Sequence, residues 1–419
     1  MGEEEILDVI VVGAGPAGLA CAAEAAGAGK QVIVLERGDL AGEKNLSGGR
    51  LYLEPVKDLC ADLLQDAPFE RPVVSETVCL CDQHSSLSFR LDQPEGDSVT
   101  VLRARLDKHL ADRATAKGVM VLPQQRAGEL LTKGGRVVGV KVGPEELKAR
   151  VVVAADGALS FMAQQAGLRP QRDPHNYAVG VKEIIQLDAG TIEERFNLQT
   201  GQGAARLYMG AVTGGLPGGG FIYTNRDSLS VGLVAQIGAL REWQSESHLF
   251  ELLEEFKQRL DVAPLIAGGK TVEYGAHTIP EGGLRALPPL GMPGLLLSGD
   301  AAGFVLNTGP VLRGMDLALA SGVLAGRAIA AGGDPLENYR QALKKSFIMK
   351  QMRAHKKAPR ALAQANLYRR LPGQLVGWTA DFFKVSPDGS HPRMKRAFKN
   401  LRRSLGFRGL RDLWRLMRM

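Results

Sequence analysis

Residues Asp8 to Gly38 read DVIVVGAGPAGLACAAEAAGAGKQVIVLERG, and this stretch decides the fold. Val9 to Val12 is a short, apolar, β-branched run, the pattern of a strand buried on both faces of a parallel sheet. Gly13, Gly15 and Gly18 follow at G-x-G-x-x-G spacing, interleaved with Ala14, Pro16 and Ala17. That spacing provides a tight turn, close backbone approach to a pyrophosphate, and close packing of helix on strand. From Pro16 to about Gly29 the alanine-rich chain suits a helix, with its free N–H groups and dipole facing a diphosphate. A second buried-type strand, Gln31 to Leu35, ends in Glu36, which could accept hydrogen bonds from both hydroxyls of an adenosine ribose. Arg37 beside it does not spoil this. Strand, glycines, helix, strand and acid stand in order within about 30 residues, the context that marks a dinucleotide site. The motif does not separate FAD from NAD.

Composition agrees with a soluble globular protein: 45% hydrophobic, 23% charged, mean hydropathy −0.07 over 419 residues, enough for two intertwined domains. The acidic N-terminus (Glu3, Glu4, Glu5) runs straight into a strand, with no signal-peptide pattern. The nearest candidate for a membrane span, Ala301 to Ala331, is interrupted by Arg313, Asp316 and Arg327, so a cytoplasmic protein is expected. Cys21, Cys60, Cys79 and Cys81 match no iron–sulfur spacing, and no metal site is expected.

Outward from the fingerprint, Lys44-Asn-Leu-Ser47-Gly48-Gly49-Arg50 combines flexible glycines with hydroxyl and cationic groups. It suits a loop along a phosphate or flavin ring, or a plain surface turn. Glu54 to Leu64 reads as a helix and Val73 to Phe89 as strands. Arg103, just before a helix at Leu106 to Gly118, could reach a diphosphate or form a surface ion pair. A hairpin is predicted around Gly134-Gly135, and a further buried strand ends in Asp156-Gly157, another turn at the dinucleotide crevice. Leu216-Pro217-Gly218-Gly219-Gly220-Phe221 reads as a loop, either a close approach to a flat ligand or a loose hairpin. Glu242 to Leu260 is amphipathic. Leu295 to Leu297 leads into Gly299-Asp300, where the aspartate could bind a sugar-chain hydroxyl. Gly309, Arg313 and Gly314 precede a small-residue helix, Met315 to Ala331, whose N-terminus would stabilise negative charge on a reduced flavin.

The three separated glycine motifs (13–18, 156–157 and 299–303), taken with Arg103, resemble the FAD-binding pattern of glutathione-reductase-type flavoproteins. More narrowly, KNLSGGR, LPGGGFIYTN and SGDAAGFVLNTGPVLRGMDLA resemble the electron transfer flavoprotein–quinone oxidoreductase family, in its FixC-type branch. The resemblance implies an α/β architecture: a glutathione-reductase-type FAD-binding Rossmann domain (1–75, 98–165, 265–340), an inserted antiparallel β quinone domain (76–97, 166–264), and a helical, basic C-terminal region (341–419). It implies FAD contacts at Gly13, Gly15, Gly18, Glu36, Arg37, Lys44, Gly48, Arg103, Asp300, Gly309 and Gly314. The neighbouring Ala14, Pro16, Ala17, Ser47, Gly49, Asp156, Gly157, Gly299, Arg313 and Met315 are expected in the same site. Quinone would meet Gly218 and Gly219, with Gly220 and Phe221 beside them. No side chain stands out as a proton donor to quinone; His277 and Tyr223 are the guesses, each expected to be structural.

The implied task is to carry electrons from an electron transfer flavoprotein (alpha and beta subunits) through FAD to membrane quinone, in an electron-bifurcating FixABCX-type complex. Longer relatives carry a C-terminal iron–sulfur domain whose cysteines this chain lacks, so a separate ferredoxin-like subunit would supply the cluster. Residues 391–419 hold ten Lys or Arg against Asp412, more than the whole chain's net charge of +7. Interspersed with Phe398, Trp414 and leucines, they suit the inner membrane surface or an acidic partner subunit, with nucleic acid not expected. The rival activities sharing the FAD pattern are a geranylgeranyl-reductase-like prenyl reductase and an aromatic-ring flavin monooxygenase. Another rival is a subunit whose FAD is structural.

Overall fold

The structure, a computed structural model, describes residues 6–44, 48–169, 173–244 and 248–390, with 403, 406, 411 and 412. Ser47 and nearly all of the basic tail lie outside the described residues. The strand Ile6–Val12 is the centre of a mainly parallel sheet, paired with Val32–Leu35 on one side and Glu145–Ala154 on the other. Met120–Leu122 and Leu295–Leu297 extend it in parallel, and the hairpin Ala127–Lys133/Arg136–Val142 folds antiparallel against Glu145–Ala154. Val9, Ile10 and Val11 are fully buried, as a strand with helices on both faces requires. Chain direction across the sheet reverses between Ile6–Val12 and Glu145–Ala154, a topological switch point with a crevice at the strands' carboxyl ends.

Two helices define that crevice. Pro16–Gly27 follows the first strand, and Met315–Ala330 lies against it in parallel. A Cβ on Gly322 would stand 2.2 Å from the Ala17 carbonyl oxygen, and one on Gly326 2.6 Å from that of Cys21. The pairing 17 with 322 and 21 with 326 means that the second helix begins about six residues ahead of the first, or ~9 Å along the axis. Two positive helix ends are thus staggered along one crevice.

A second, seven-stranded sheet runs in the order Lys270–Pro280, Tyr177–Gln186, Ser228–Gln236, Gly218–Thr224, Gly203–Gly210, Val73–Cys81, Ser86–Asp92. It is antiparallel except for Gly203–Gly210, which runs parallel to Val73–Cys81. One face is covered by Ala189–Phe196 and Leu249–Lys257, which bury Ile192, Phe196, Leu253 and Phe256. The other face turns toward the first sheet. Short helices follow Met315–Ala330, and one of them, Leu371–Phe383, packs against the second sheet's edge.

Four local expectations differ from the fold. Only Ala61–Leu64 of the stretch 54–64 is helical, the rest forming turns. Among the described residues of 242–260 the amphipathic helix covers Leu249–Lys257, starting at a capping box of His248 and Glu251. Arg103 is the first residue of its helix, Arg103–Ala116, rather than preceding it. The glycine cluster is not a loop: Gly218–Thr224 is an interior strand, and the turn before it is made by Gly214 and Gly215 at positive φ.

Gly322→Val places a side chain against the Ala17 carbonyl. It is expected to destabilise the protein by about 1–3 kcal/mol, measured by denaturant unfolding. A midpoint equal to wild type would show that the helices have room to part.

Candidate functional site

The fingerprint folds as its spacing demands. Gly13 adopts φ +106°, and a Cβ there would lie 2.5 Å from the carbonyl oxygen of Ala155, just past the end of the neighbouring strand. A Cβ on Gly18 would fall 2.0 Å from the Gly13 carbonyl oxygen, so the helix can sit directly on the turn. The Glu36 carboxylate accepts from Ala14 N–H (2.9 Å) and Gly38 N–H (2.7 Å), tying the second strand's end to the glycine turn. Arg103 crosses from its helix so that a guanidinium nitrogen comes within 3.8 Å of a Cβ built on Gly15. Asp107 holds it by two hydrogen bonds, of 2.9 and 2.7 Å. Asp300 sits in the single helical turn Gly299–Ala302; burial pushes its carboxyl up to about 6, opposed by Arg103 and Arg169. Gly299 packs on Ala17 and Ala318, and Asp300 approaches Gly314 at the start of the second helix.

Other expected residues take structural duties. The Asp156 carboxylate accepts from Ser160 Oγ (2.6 Å) and Met162 N–H (3.1 Å), capping a short helix, while its backbone flanks Gly13. Arg313 is bound to Asp316 and covers the Tyr52 ring at 5.8 Å. Gly309 lies exposed in a small hairpin, Leu306–Asn307 with Leu312–Arg313, and Arg37 and Lys44 are exposed. Gly157 turns at φ +81° with open space around it.

The second sheet closes the crevice. Cross-strand partners share a face, so Leu207, Phe221, Gly232, Lys182 and Gly275 form one row, with Gly219, Val234, Gly180 and His277 in the next. Phe221 stacks on Tyr223 with centroids 4.9 Å apart. Its ring tip lies 2.6 Å from where a Cβ on Gly232 would be, so it lies across the sheet only because that position is glycine. Gly219 and Phe221 share the face toward the first sheet; Gly220 faces Phe256 and Leu233 on the helix-covered side. Gly48 abuts Ser230 and Ile184 and accepts a hydrogen bond from Lys182 Nζ, and Gly49 abuts the Met315 methyl group. The loop therefore lies between the sheet face and the second helix's N-terminus.

Lys182 is the residue that sequence reading missed. It is 8% exposed, and burial followed by the field of Arg103 brings its ammonium down to about 7 against the pull of Glu273. His277 is brought down to about 4 by burial and then by Arg103, Lys182 and Arg37, so it is neutral at pH 7. Burial pushes the Tyr223 hydroxyl up. A lysine in the otherwise apolar, glycine-broken run Val179-Gly180-Val181-Lys182 was the available signal.

These donors suit FAD. The Gly15 backbone and Arg103 meet at the first helix end, where a diphosphate would lie, and the second helix end, ~9 Å further on, stands beside Gly49. Bound FAD supplies one- and two-electron transfer; the chain supplies position and electrostatics. Glu36→Ala strands the buried Ala14 N–H at a cost of about 1–3 kcal/mol. FAD affinity, measured by fluorescence titration, should fall about tenfold or more.

The comparisons with known proteins agree with this cofactor. The family model for FAD dependent oxidoreductases matches residues 8–172. The probable electron transfer flavoprotein-quinone oxidoreductase YdiS of Escherichia coli (strain K12) is 40% identical over 404 residues, covering 94% of both chains. Protein FixC of Escherichia coli O157:H7 is 40% identical over 407 residues, again covering 94% of each. Among solved structures, a geranylgeranyl bacteriochlorophyll reductase-like protein from Thermoplasma acidophilum shares the fold at TM-score 0.73 and 21% identity, with 98% of this chain and 99% of that one covered. The myxobacterial chondrochloren halogenase CndH does so at TM-score 0.64 and 19% identity, with 96% and 97% covered. With the glycine turn, Arg103 and the staggered helix ends in place, the chain belongs to the electron transfer flavoprotein–quinone oxidoreductase (FixC) family of FAD-dependent oxidoreductases.

Proposed function

We propose that this chain takes electrons from an electron transfer flavoprotein and passes them through FAD to a membrane quinone. In this reading it is the quinone-reducing subunit of a FixABCX-type bifurcating complex, with flavoprotein alpha and beta subunits and a ferredoxin-like iron–sulfur subunit. The observation that carries the reading is the sheet face at Gly219 and Phe221, an aromatic ring beside side-chain-free backbone, turned toward the FAD crevice. Flat rings stack on such a surface. The cysteines favour a separate iron–sulfur subunit: all four are buried, and burial pushes Cys21, Cys60 and Cys81 up to about 12, far from thiolate character.

A membrane-side orientation is supported by apolar exposure just ahead of the basic tail. Phe383 is 83% exposed at the end of Leu371–Phe383, and Val385 follows it. That helix packs near the edge strand Ser86–Asp92, where Phe89 and Leu91 are also exposed. Among the described residues no helix is long and apolar enough to cross a membrane.

Mixed anaerobically with reduced electron transfer flavoprotein, the FAD absorbance should bleach, and it should return on addition of a soluble quinone. Failure to bleach would remove the proposed donor. Gly219 is a poor probe of the acceptor site, because a Cβ there meets the Tyr208 carbonyl at 2.5 Å and would disturb the strand itself. Phe221→Ala is the better variant: KM for quinone should rise about tenfold, a stacking loss near 1.4 kcal/mol, with bleaching by the flavoprotein unchanged. An unchanged KM would place quinone elsewhere. In vesicle co-sedimentation the protein should pellet with anionic lipid and remain in solution with neutral lipid; equal behaviour would point the tail to a protein partner.

A further inference from the structure

Lys182 is built into the wall of the crevice in a way that no structural need of the sheet explains. It occupies the strand Tyr177–Gln186 with Gly232 and Gly275 as its cross-strand partners, so neither partner sets a side chain of its own beside the stem, and the Phe221 ring tip lies over Gly232. A Cβ on Gly232 would lie 2.6 Å from the Lys182 Cβ. The side chain therefore runs over a glycine floor to the loop at Gly48, whose carbonyl accepts one of its three N–H groups. Among the described residues no salt bridge joins it to a carboxylate, and it feels both Arg103 and, in the opposite sense, Glu273. A buried ammonium without a paired anion is costly, and placing it near a guanidinium adds repulsion. The arrangement is complete only when something electron-rich lies beside the two remaining N–H groups.

We propose that Lys182 donates directly to the flavin end of bound FAD and stabilises the negative charge that this end gains on reduction. The diphosphate has its own partners at Gly15 and Arg103, on the far side of the stagger between the two helix ends. Lys182 instead meets Gly48, next to Gly49 and Met315, where the second helix N-terminus points. The helix end and the ammonium thus act on the flavin from two separate elements, Met315–Ala330 and Tyr177–Gln186. The opposing possibility is that Lys182 serves only to pin the loop through the Gly48 carbonyl. The inference depends on FAD binding and not on the electron acceptor, so a failure of quinone reduction leaves it standing.

The test measures the dissociation constants of oxidised and of reduced FAD from apoprotein, for wild type, K182M, K182Q and K182R. Removing the charge should weaken reduced FAD about tenfold more than oxidised FAD, equivalent to a potential about 30 mV lower for a two-electron couple. K182Q should behave as K182M, because an amide keeps a hydrogen-bond donor and lacks the charge, while K182R should recover most of the difference. Equal weakening of both redox forms, or a wild-type ratio in K182Q, would overturn the proposal and leave Lys182 as a loop pin. If K182M does not fold, judged by circular dichroism, the K182Q and K182R pair decides the question in the same way.

Discussion

Everything in this molecule that concerns a cofactor depends on two helices lying closer than side chains normally permit. Gly322 and Gly326 on one meet the Ala17 and Cys21 carbonyls on the other, and Gly18 meets the Gly13 carbonyl beneath them. No side chain separates these backbones, so dispersion contacts are made directly between main chains. The consequence is geometric. Both helices present their free N–H ends to one crevice, one at the glycine turn and one beyond it, and a molecule with an anionic middle and an aromatic end can address both.

The second sheet completes the crevice by the same device of absent side chains. Gly180, Gly219, Gly232 and Gly275 clear its inner face, leaving Phe221, Lys182 and His277 to stand over it. Its outer face is ordinary core, with Tyr208 and Phe256 packed edge to face at 4.9 Å. One sheet therefore has a face built for stability and a face built for a ligand. The short strand Gly49–Tyr52 links the halves: Arg50 pairs with Glu76 on the second sheet and lies over the Tyr52 ring, which Arg313 also approaches.

Electrostatically the crevice is cationic at depth. Burial, and then Arg103, Lys182 and Arg37, keep His277 neutral, while Asp107 is bound to Arg103 and buried Asp300 feels both Arg103 and Arg169. A site of this kind favours ligands that carry or acquire negative charge. It sets the direction in which any bound redox group is tuned, since stabilising the anionic form raises the potential.

The nucleotide half was legible in the sequence because its signals are local. A β-branched run and glycines at fixed spacing each depend only on near neighbours, so the parallel sheet, the turn at Gly13 and the close packing at Gly18 could be read directly, whereas the bonds that Glu36 accepts from Ala14 and Gly38 N–H could not. Local reading also misled where tertiary pairing overrides it: Gly218–Gly219–Gly220 has the composition of a loop, yet flanking strands on both sides hold it extended. The duties of Asp156 and Arg313 as helix cap and ion-pair partner depended on groups whose positions only folding set. Lys182 was beyond the sequence for the same reason. Its meaning comes from cross-strand glycines about 50 and 90 residues away and a carbonyl 134 residues away, and only the register of the folded sheet brings those together.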